Sequence, residues 1–229
     1  MKKLSPILIF ILLFLGMSLF PYIPILIFNI NMDNFLPLVR IIYTFIMDLL
    51  YMVIVFMVYK NDIINNFKSY FRNFKDNFKL SFPYYIIGLV IMIISNNLIS
   101  IIFTSASANN EEAVRSLIDS YPLYMIFSVT IYAPFIEEIL FRKSIRDMFN
   151  ANSKFIKYLY VIISGLVFAS MHVLGMTTNI TDYLYIIPYM ALGCSFALIY
   201  YKTNNIFSSI VLHSMHNILA VIIYFVFGG

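Results

Sequence analysis

The sequence has few charged residues and almost no cysteine. Only 11% of its 229 residues are Asp, Glu, Lys or Arg, 62% are hydrophobic, and the mean hydropathy is +0.88. Because soluble domains carry about 25% charged residues, this composition excludes an ordinary soluble domain. The single cysteine, Cys194, excludes an intramolecular disulfide and a cysteine-based metal cluster. The chain is therefore expected to be an integral membrane protein.

The sequence also lacks the alternating pattern of a transmembrane β-barrel, and its apolar segments are long and continuous instead. A helix needs about 20 residues to cross the roughly 30 Å hydrocarbon core of a bilayer. We predict an all-α, polytopic transmembrane bundle of about seven helices, forming one domain over residues 1–229. The candidate spans fall at about 5–30, 37–59, 82–104, 121–141, 157–175, 183–201 and 206–227.

The basic residues are unevenly distributed between the connecting loops. The N-terminus has the basic start and apolar centre of a signal peptide, but no small-residue cleavage site follows, so we expect an uncleaved first span. With a cytoplasmic N-terminus, all of the 15 Lys and Arg residues except Arg40 and Arg115 lie on the cytoplasmic side. This asymmetry predicts an N-in, C-out chain. The abundance of Ile, Asn and Lys suggests an AT-rich genome, and hence a bacterial cytoplasmic membrane.

One loop segment, residues 65–79, alternates basic and aromatic residues. Its aromatic residues recur at helical spacing, which predicts an amphipathic helix along the inner membrane surface, attracted to anionic lipid. Nucleic-acid binding is the competing interpretation of a basic and aromatic segment. We do not expect it, because a loop between two spans beside a charged bilayer already accounts for the pattern.

Several ionisable or strongly polar residues fall within the predicted spans, where each costs at least a few kcal/mol. Such residues are functional candidates by default. They are Asp48, Glu137, Glu138, Arg142, His172, His213, His216 and Asn217. Asp48 belongs to no motif, and we expect it to join an interhelical hydrogen-bond network with Ser95, Asn96 and Asn97.

Helical spacing separates the roles of these residues. Glu138 and Arg142 stand at i,i+4 with the acid first, which favours a structural ion pair, whereas Glu137 points about 100° away. His172 shares a stripe with the small residues Gly165 and Ala169, which predicts that it faces the bundle interior. On the last span, three polar residues share one face. They are His213, His216 and Asn217.

The depths of these residues are also compatible. At about 1.5 Å per residue, the three polar faces meet at one level if the fourth helix continues past Arg142. Pro134 is expected to kink that helix and to free backbone groups near Glu137. A carboxylate and imidazoles in a protected cavity can activate water directly or through a bound metal. Patterns of other hydrolases are absent: the sequence has no H-E-x-x-H, no G-x-S-x-G and no pair of intramembrane aspartates.

Three short motifs carry a resemblance to a known family. EEILFR (137–142), FASMH (168–172) and HSMHN (213–217) resemble the signatures EExxxR, FxxxH and HxxxN/D of CPBP intramembrane proteases, which include CAAX proteases and bacteriocin-processing or abortive-infection-like proteins. The resemblance covers about residues 121–227, the expected catalytic core. It implies a helical bundle whose active site opens within the membrane.

The resemblance also implies roles for individual residues. Glu137 would activate water beside His172, supported by Phe168, while His213 and Asn217 would complete the site as oxyanion donors or metal partners. It leaves open a zinc site formed by His172, His213 and Glu137. His216 is outside the signature positions and is expected to give supporting contacts only.

The leading functional hypothesis is an endopeptidase that cleaves a peptide or a membrane-anchored protein. Maturation of a bacteriocin or signalling peptide, or self-immunity to such a peptide, would fit this activity. CAAX processing itself is not expected, because bacteria normally lack prenylated substrates. Two alternatives stay open: a non-proteolytic membrane scaffold or regulator with the same fold, and a proton-coupled transporter. The missing internal repeat and the clustering of candidates in the C-terminal half disfavour the transporter.

Overall fold

The computed structural model describes residues 4–103, 109–149, 153–177 and 179–227, and these residues form helices without a strand. The predicted all-α bundle is therefore confirmed. The helices are α1 Pro6–Leu19, α2 Tyr22–Ile27, α3 Pro37–Val58, α4 Lys60–Arg72, α5 Phe74–Phe103, α6 Asn109–Ser120, α7 Pro122–Ser144, α8 Lys154–Val173, α9 Ile186–Thr203 and α10 Ile206–Phe227. Within the described ranges, six helical segments are long and apolar enough to cross a membrane. They are α3, α5, α7, α8, α10, and α9 with its preceding 3-10 turn Ile180–Tyr185.

The first predicted span, 5–30, is divided into α1 and α2. The division follows from Pro24, which cannot donate a backbone hydrogen bond to Phe20 O, so that this oxygen accepts from Ile23 N at 3.2 Å instead. The two helices still run antiparallel to α3, because Tyr51 Oη donates to Leu13 O and Tyr43 Oη donates to Pro21 O. The segment thus lies beside α3 but is broken, and α1 alone, with 14 residues, is shorter than the helices that could cross a membrane. Lys2 and Lys3, which contribute to the predicted orientation, lie outside the described residues.

The predicted amphipathic helix is present, but its predicted bounds, 65–79, were wrong. The helix is α4, and it ends where Asn73 leaves the helical conformation (φ −116°, ψ 37°), so that residues 74–79 begin α5. One face of α4 buries Ile63 and Tyr70. Burial raises the pKa of Tyr70 to about 12, so its hydroxyl stays neutral. α4 therefore packs one face against the bundle, in addition to any contact with the membrane surface.

The connecting segments fall into two groups at opposite ends of the bundle. At one end, Lys143 Nζ lies 3.0 Å from Asp62 Oδ2 and Tyr59 Oη lies 2.8 Å from Ser144 Oγ, which joins α4 to the end of α7. We call this the basic end, defined by residues 59–73, 143–149, 153–157 and 202–205. At the other end, Tyr224 Oη donates to Asp119 Oδ1 at 2.6 Å. The loops that the sequence assigned to one side of the membrane thus share one end.

Close helix packing brings α8 and α9 together. A Cβ added to Gly193 would lie 3.0 Å from Gly165 Cα and 3.1 Å from the Phe168 ring, and one added to Gly165 would collide with Cys194. Only glycine allows the two backbones to approach this closely. The crossing fixes Phe168 and the following turn of α8 at the centre of the bundle.

Asp48 makes an interhelical hydrogen bond, but its partner differs from the predicted set on the third span. Tyr124 Oη of α7 donates to Asp48 Oδ2 at 2.8 Å. Ser95 is bonded within its own helix, where it donates to Ile91 O at 2.7 Å. Asp48 therefore ties α3 to α7, the helix that carries Glu137 and Glu138.

Candidate active site

α7 is irregular on both sides of its glutamate pair. Segments Ser128–Tyr132 and Ile139–Ser144 have π-helical hydrogen bonding, a local feature that is frequent at functional sites. Ala133 N donates to Ser128 O, five residues back, so the next amide in this register is that of residue 134. Pro134 has no N–H and leaves Val129 O without that donor. Asn217 Nδ2 of α10 donates to Val129 O at 2.7 Å, so the proline frees a carbonyl that a neighbouring helix then binds.

Glu138 and Arg142 form a fully buried ion pair. Both side chains have 0% exposure, and Arg142 donates from Nε to Glu138 Oε2 at 3.0 Å and from Nη2 to Oε1 at 3.2 Å. The guanidinium also donates to Ser164 Oγ at 3.0 Å and lies 4.7 Å from the centre of the Phe168 ring. A buried charge pair is tolerated when its remaining donors are satisfied in this way. Arg142 thus anchors α7 to α8.

His213 extends this pair into a chain of charged and polar groups. Its Nδ1 lies 2.9 Å from Glu138 Oε1, and because a carboxylate accepts, this nitrogen carries the proton. In the neutral ring, Nε2 then has the free lone pair, and it lies 3.8 Å from Glu137 Oε2. That separation is too long for a direct hydrogen bond but is suited to a bridging water. The His213 ring is held by stacking on Phe196, with 4.9 Å between centroids.

Glu137 and Glu138 are adjacent in sequence but lie in different surroundings. The Glu138 side chain has 0% exposure and is compensated by Arg142, while that of Glu137 is 17% exposed. Among the described residues, no Lys or Arg forms an ion pair with Glu137, and Nε2 of the neutral His213 ring lies 3.8 Å from its Oε2. Glu138 therefore has a structural role in the buried ion pair, whereas Glu137 has free acceptor positions beside the His213 imidazole.

His172 is oriented by its own helix and by α9. Its Nδ1 donates to Phe168 O at 2.9 Å, which leaves Nε2 as an acceptor in the neutral ring. The ring stacks on Tyr189 with 4.8 Å between centroids, and Asn110 Nδ2 donates to Tyr189 Oη at 3.2 Å. A cavity of about 10 Å³, close to the space of one water, lies against His172 on the side of α6.

The structure brings some predicted residues together and separates others. In the described part of the chain, no hydrogen bond or ion pair joins His172 to Glu137 or His213. The link is the Phe168 ring, whose centroid is 4.4 Å from that of His172 and 5.9 Å from that of His213. Asn217 uses one N–H on Val129 O and keeps a second, so its role as an oxyanion donor stays a prediction.

His216 points to a different neighbour from the other candidates. Its Nδ1 lies 3.4 Å from Tyr85 Oη of α5, at the long limit for a hydrogen bond. Its predicted supporting role rests on its position one turn from His213, and the contact with Tyr85 ties α10 to α5.

Three residues of the site were missed by the sequence reasoning: Ser164, Tyr189 and Phe196. A signal existed for Ser164, which precedes Phe168 and His172 at successive i,i+4 steps on the same face of α8. No comparable signal marks Tyr189 or Phe196, because α9 is apolar on most of its surface and aromatic residues are common throughout this chain.

The predicted zinc site is supported by its donor types but not by their arrangement. Imidazole nitrogen and carboxylate oxygen are ligands that zinc accepts. Across the described residues, however, no group of three or more His, Cys, Asp or Glu side chains is placed to hold a metal ion. Nδ1 of both histidines is already engaged, so only Nε2 of His172 and His213 is left for such a role.

Comparison with known proteins identifies relatives of this sequence. Residues 119–219 match the family described as "Type II CAAX prenyl endopeptidase Rce1-like". The chain is 29% identical over 153 residues to a Bacillus subtilis (strain 168) protein named membrane peptidase YdiL. It is 27% identical over 157 residues to a protein from Staphylococcus aureus (strain USA300) named membrane-embedded CAAX protease MroQ. Each match covers 65% of this chain and 58% or 60% of the relative. No solved structure matches the chain significantly.

Proposed function

We propose that the chain is an intramembrane peptidase, because residues 119–219 match the Rce1-like family model of CAAX endopeptidases. Two observations support the proposal: the matched segment contains all three sequence motifs, and His213 of the third motif contacts Glu138 of the first and Phe168 of the second. The proposed reaction is hydrolysis of a peptide bond in a peptide or membrane-anchored protein.

The observation that carries the proposal is the contrast within the glutamate pair. The carboxylate of Glu138 accepts hydrogen bonds from Arg142 and His213. The carboxylate of Glu137 has free acceptor positions, and its Oε2 lies 3.8 Å from His213 Nε2. A water held between Glu137 and this nitrogen would be oriented by two acceptors inside a largely water-excluding bundle. This is the arrangement that general-base activation of water requires.

The proposed reaction uses the residues of the chain in the following way. Glu137 removes a proton from the water while the water oxygen bonds to the carbonyl carbon of the peptide. Glu137 then delivers this proton to the leaving amine as the C–N bond breaks. The second N–H of Asn217, and His172 when it is protonated at Nε2, are the proposed donors to the carbonyl oxygen. His213 holds the water, and Glu138 fixes the tautomer and orientation of His213.

The substrate is proposed by class only. Maturation of a bacteriocin or a signalling peptide, or self-immunity to such a peptide, suits an enzyme whose site lies within the bilayer. A bacterial cytoplasmic membrane is the proposed location, for which the six membrane-spanning segments and the membrane peptidase relatives give support.

Substitution at Glu137 and His172 tests the proposal. The full chain would be placed in proteoliposomes with a mixture of lipid-inserted hydrophobic peptides, and the products would be measured by mass spectrometry. Glu137→Gln and His172→Ala are each expected to lower the cleavage rate by about 100-fold or more. The matched control is Glu112→Gln, which removes an exposed carboxylate of α6 and is expected to retain the wild-type rate. Retained cleavage in both site variants would refute the roles proposed for Glu137 and His172, and a wild-type chain that cleaves no peptide would contradict the peptidase proposal and favour a scaffold.

The same assay separates direct from metal-assisted catalysis. Metal analysis of the purified chain is paired with the cleavage rate before and after a chelator. Unchanged activity without bound metal is the result expected if Glu137 acts directly. Loss of activity on chelation and recovery with zinc would instead support metal-assisted catalysis, for which His172, His213 and Glu137 are the candidate ligands.

A further inference from the structure

The polar face of α4 is not used by the proposed peptidase site. We propose that this face binds the phosphate-bearing headgroups of anionic phospholipids. The proposal does not depend on peptidase activity.

The groove that would hold the headgroup is built from one face of α4. Lys68 and Arg72 are exposed, one turn apart, and together with three neutral polar residues they line a groove of about 250 Å³. The neutral residues are Asn65, Ser69 and Asn73. No ion pair engages Lys68 or Arg72 in the described part of the chain. Two adjacent cations surrounded by amide and hydroxyl donors form a site suited to a phosphate group.

A second face of α4 shows how the helix meets the bilayer. Phe67 and Phe71 of α4 and Phe74, the first residue of α5, are 49%, 52% and 43% exposed, although each is a large apolar side chain. The Phe67 and Phe71 rings lie 4.6 Å apart, and Phe67 also contacts Phe207 of α10 at 5.3 Å. These rings form an apolar edge beside the basic groove. An interfacial helix has this composition, with its aromatic edge in the acyl region and its cations at the headgroups.

The position of α4 is fixed by its connections. It follows α3 directly and precedes α5, two helices that each span the membrane, so it lies across the basic end of the bundle. Asp62 is held by Lys143, and the other nearby acid, Asp76, is accompanied by Lys75 and Lys79 at the start of α5. The surface around the groove is therefore positive, which complements an anionic leaflet.

The absence of tryptophan from this chain permits a direct test. Phe71→Trp introduces one fluorophore on the exposed edge of α4. The full chain would be reconstituted in vesicles that contain phosphatidylglycerol and phosphatidylcholine, with bromine on the acyl chains of one lipid or the other. We expect brominated phosphatidylglycerol to quench the Trp fluorescence more strongly than its bulk fraction in the vesicle predicts.

The controls separate a specific groove from general surface charge. In the Phe71→Trp background, Lys68→Gln with Arg72→Gln is expected to lower the preference for the anionic lipid by about fivefold per charge removed. Lys154→Gln with Lys202→Gln removes the same charge from exposed positions elsewhere at the basic end and is expected to keep the preference. With Lys68 and Arg72 unchanged, about 1 M salt is expected to weaken the preference for the anionic lipid, because exposed charges are screened at a Debye length of about 3 Å.

Three results would overturn the proposal. Equal quenching by the two brominated lipids would show that no anionic lipid is enriched at α4. An equal loss in the two double variants would assign the enrichment to overall charge and not to the groove. A preference unaffected by salt would exclude an ionic headgroup contact, and this measurement needs no substitution in the groove.

Discussion

At the scale of single residues, the neighbours Glu137 and Glu138 have opposite relations to their surroundings. Glu138 compensates the buried charge of Arg142 and orients His213, while Glu137 is compensated by no cation at contact distance among the described residues. Stability should therefore depend on Glu138 much more than on Glu137, although Glu138 also orients His213 for the proposed reaction.

This division predicts different effects of the same chemical change. Glu138→Gln leaves the buried Arg142 guanidinium without its counter-charge and is expected to lower the free energy of unfolding by about 3–5 kcal/mol. Glu137→Gln breaks no contact of that kind, and its effect on unfolding is expected to stay below about 1 kcal/mol. Denaturant unfolding of both purified variants in detergent measures the difference. Equal losses would show that Glu137 is also part of the structural ion pair.

How far the site was predictable from the sequence is clearest at Glu138. The i,i+4 spacing predicted its pairing with Arg142, because partners on one helix are set by local geometry. The bond from Glu138 to His213 joins residues 75 positions apart and depends on how α7 and α10 pack. The stacking of Tyr189 on His172 was hidden for the same reason, since an aromatic residue on an apolar helix carries no sign of its partner.

At the scale of helices, α4 and α10 show how an interfacial segment supports the site. Asn66 Oδ1 of α4 accepts from Ile206 N at 2.8 Å, and Asn205 Oδ1 accepts from Phe207 N at 3.0 Å. Two N–H groups that the first turn of α10 cannot bond internally are thereby satisfied. α10 carries His213 and Asn217, so α4 stabilises the start of a helix that forms part of the candidate site.

Asn66→Ala tests this connection between the helices. The substitution removes the acceptor for Ile206 N and is expected to cost about 1 kcal/mol at the start of α10, which corresponds to about fivefold faster amide exchange there. Asn65→Ala is the matched control, because Asn65 is exposed and, unlike Asn66, has no hydrogen bond to α10 among the described residues. Hydrogen exchange followed by mass spectrometry compares the two. The same exchange rate in both variants would mean that Asn66 does not hold α10.

The helices were predictable to different degrees for physical reasons. Long apolar runs predicted seven spans, because a bilayer requires a minimum helix length, and six of them correspond to helical segments of that length among the described residues. The break between α1 and α2 was not predicted, although Pro24 causes it, because the apolar run continues across it. The break at Asn73 was not predicted because a few backbone angles decide it and the aromatic pattern continues. The irregular backbone of α7 was predicted in part. Pro134 predicted freed backbone groups, but only the packed structure shows that Asn217 binds one of them.

At the scale of the whole molecule, composition determined the class of fold, but the sequence could not determine which helices are neighbours. Helices that are apolar on most sides do not reveal which face is packed and which meets lipid. The approach of α8 and α9 at Gly165 and Gly193 is an instance, because the small stripe predicted close packing without naming the partner helix. Charge is more informative at this scale, since the segregation of basic loops predicted two distinct ends.

The orientation of these ends in the membrane is a prediction that labelling can test. The basic end should be cytoplasmic, because cytoplasmic loops retain excess Lys and Arg, and the end that contains α6 should then lie outside. In a Cys194→Ala background, Ser116→Cys and Lys154→Cys each give one exposed thiol at opposite ends of the bundle. An impermeant maleimide added to intact cells is expected to label Ser116→Cys at once and Lys154→Cys only after permeabilisation. The reverse pattern would place the N-terminus outside and would also place the phospholipid groove of α4 at the outer leaflet.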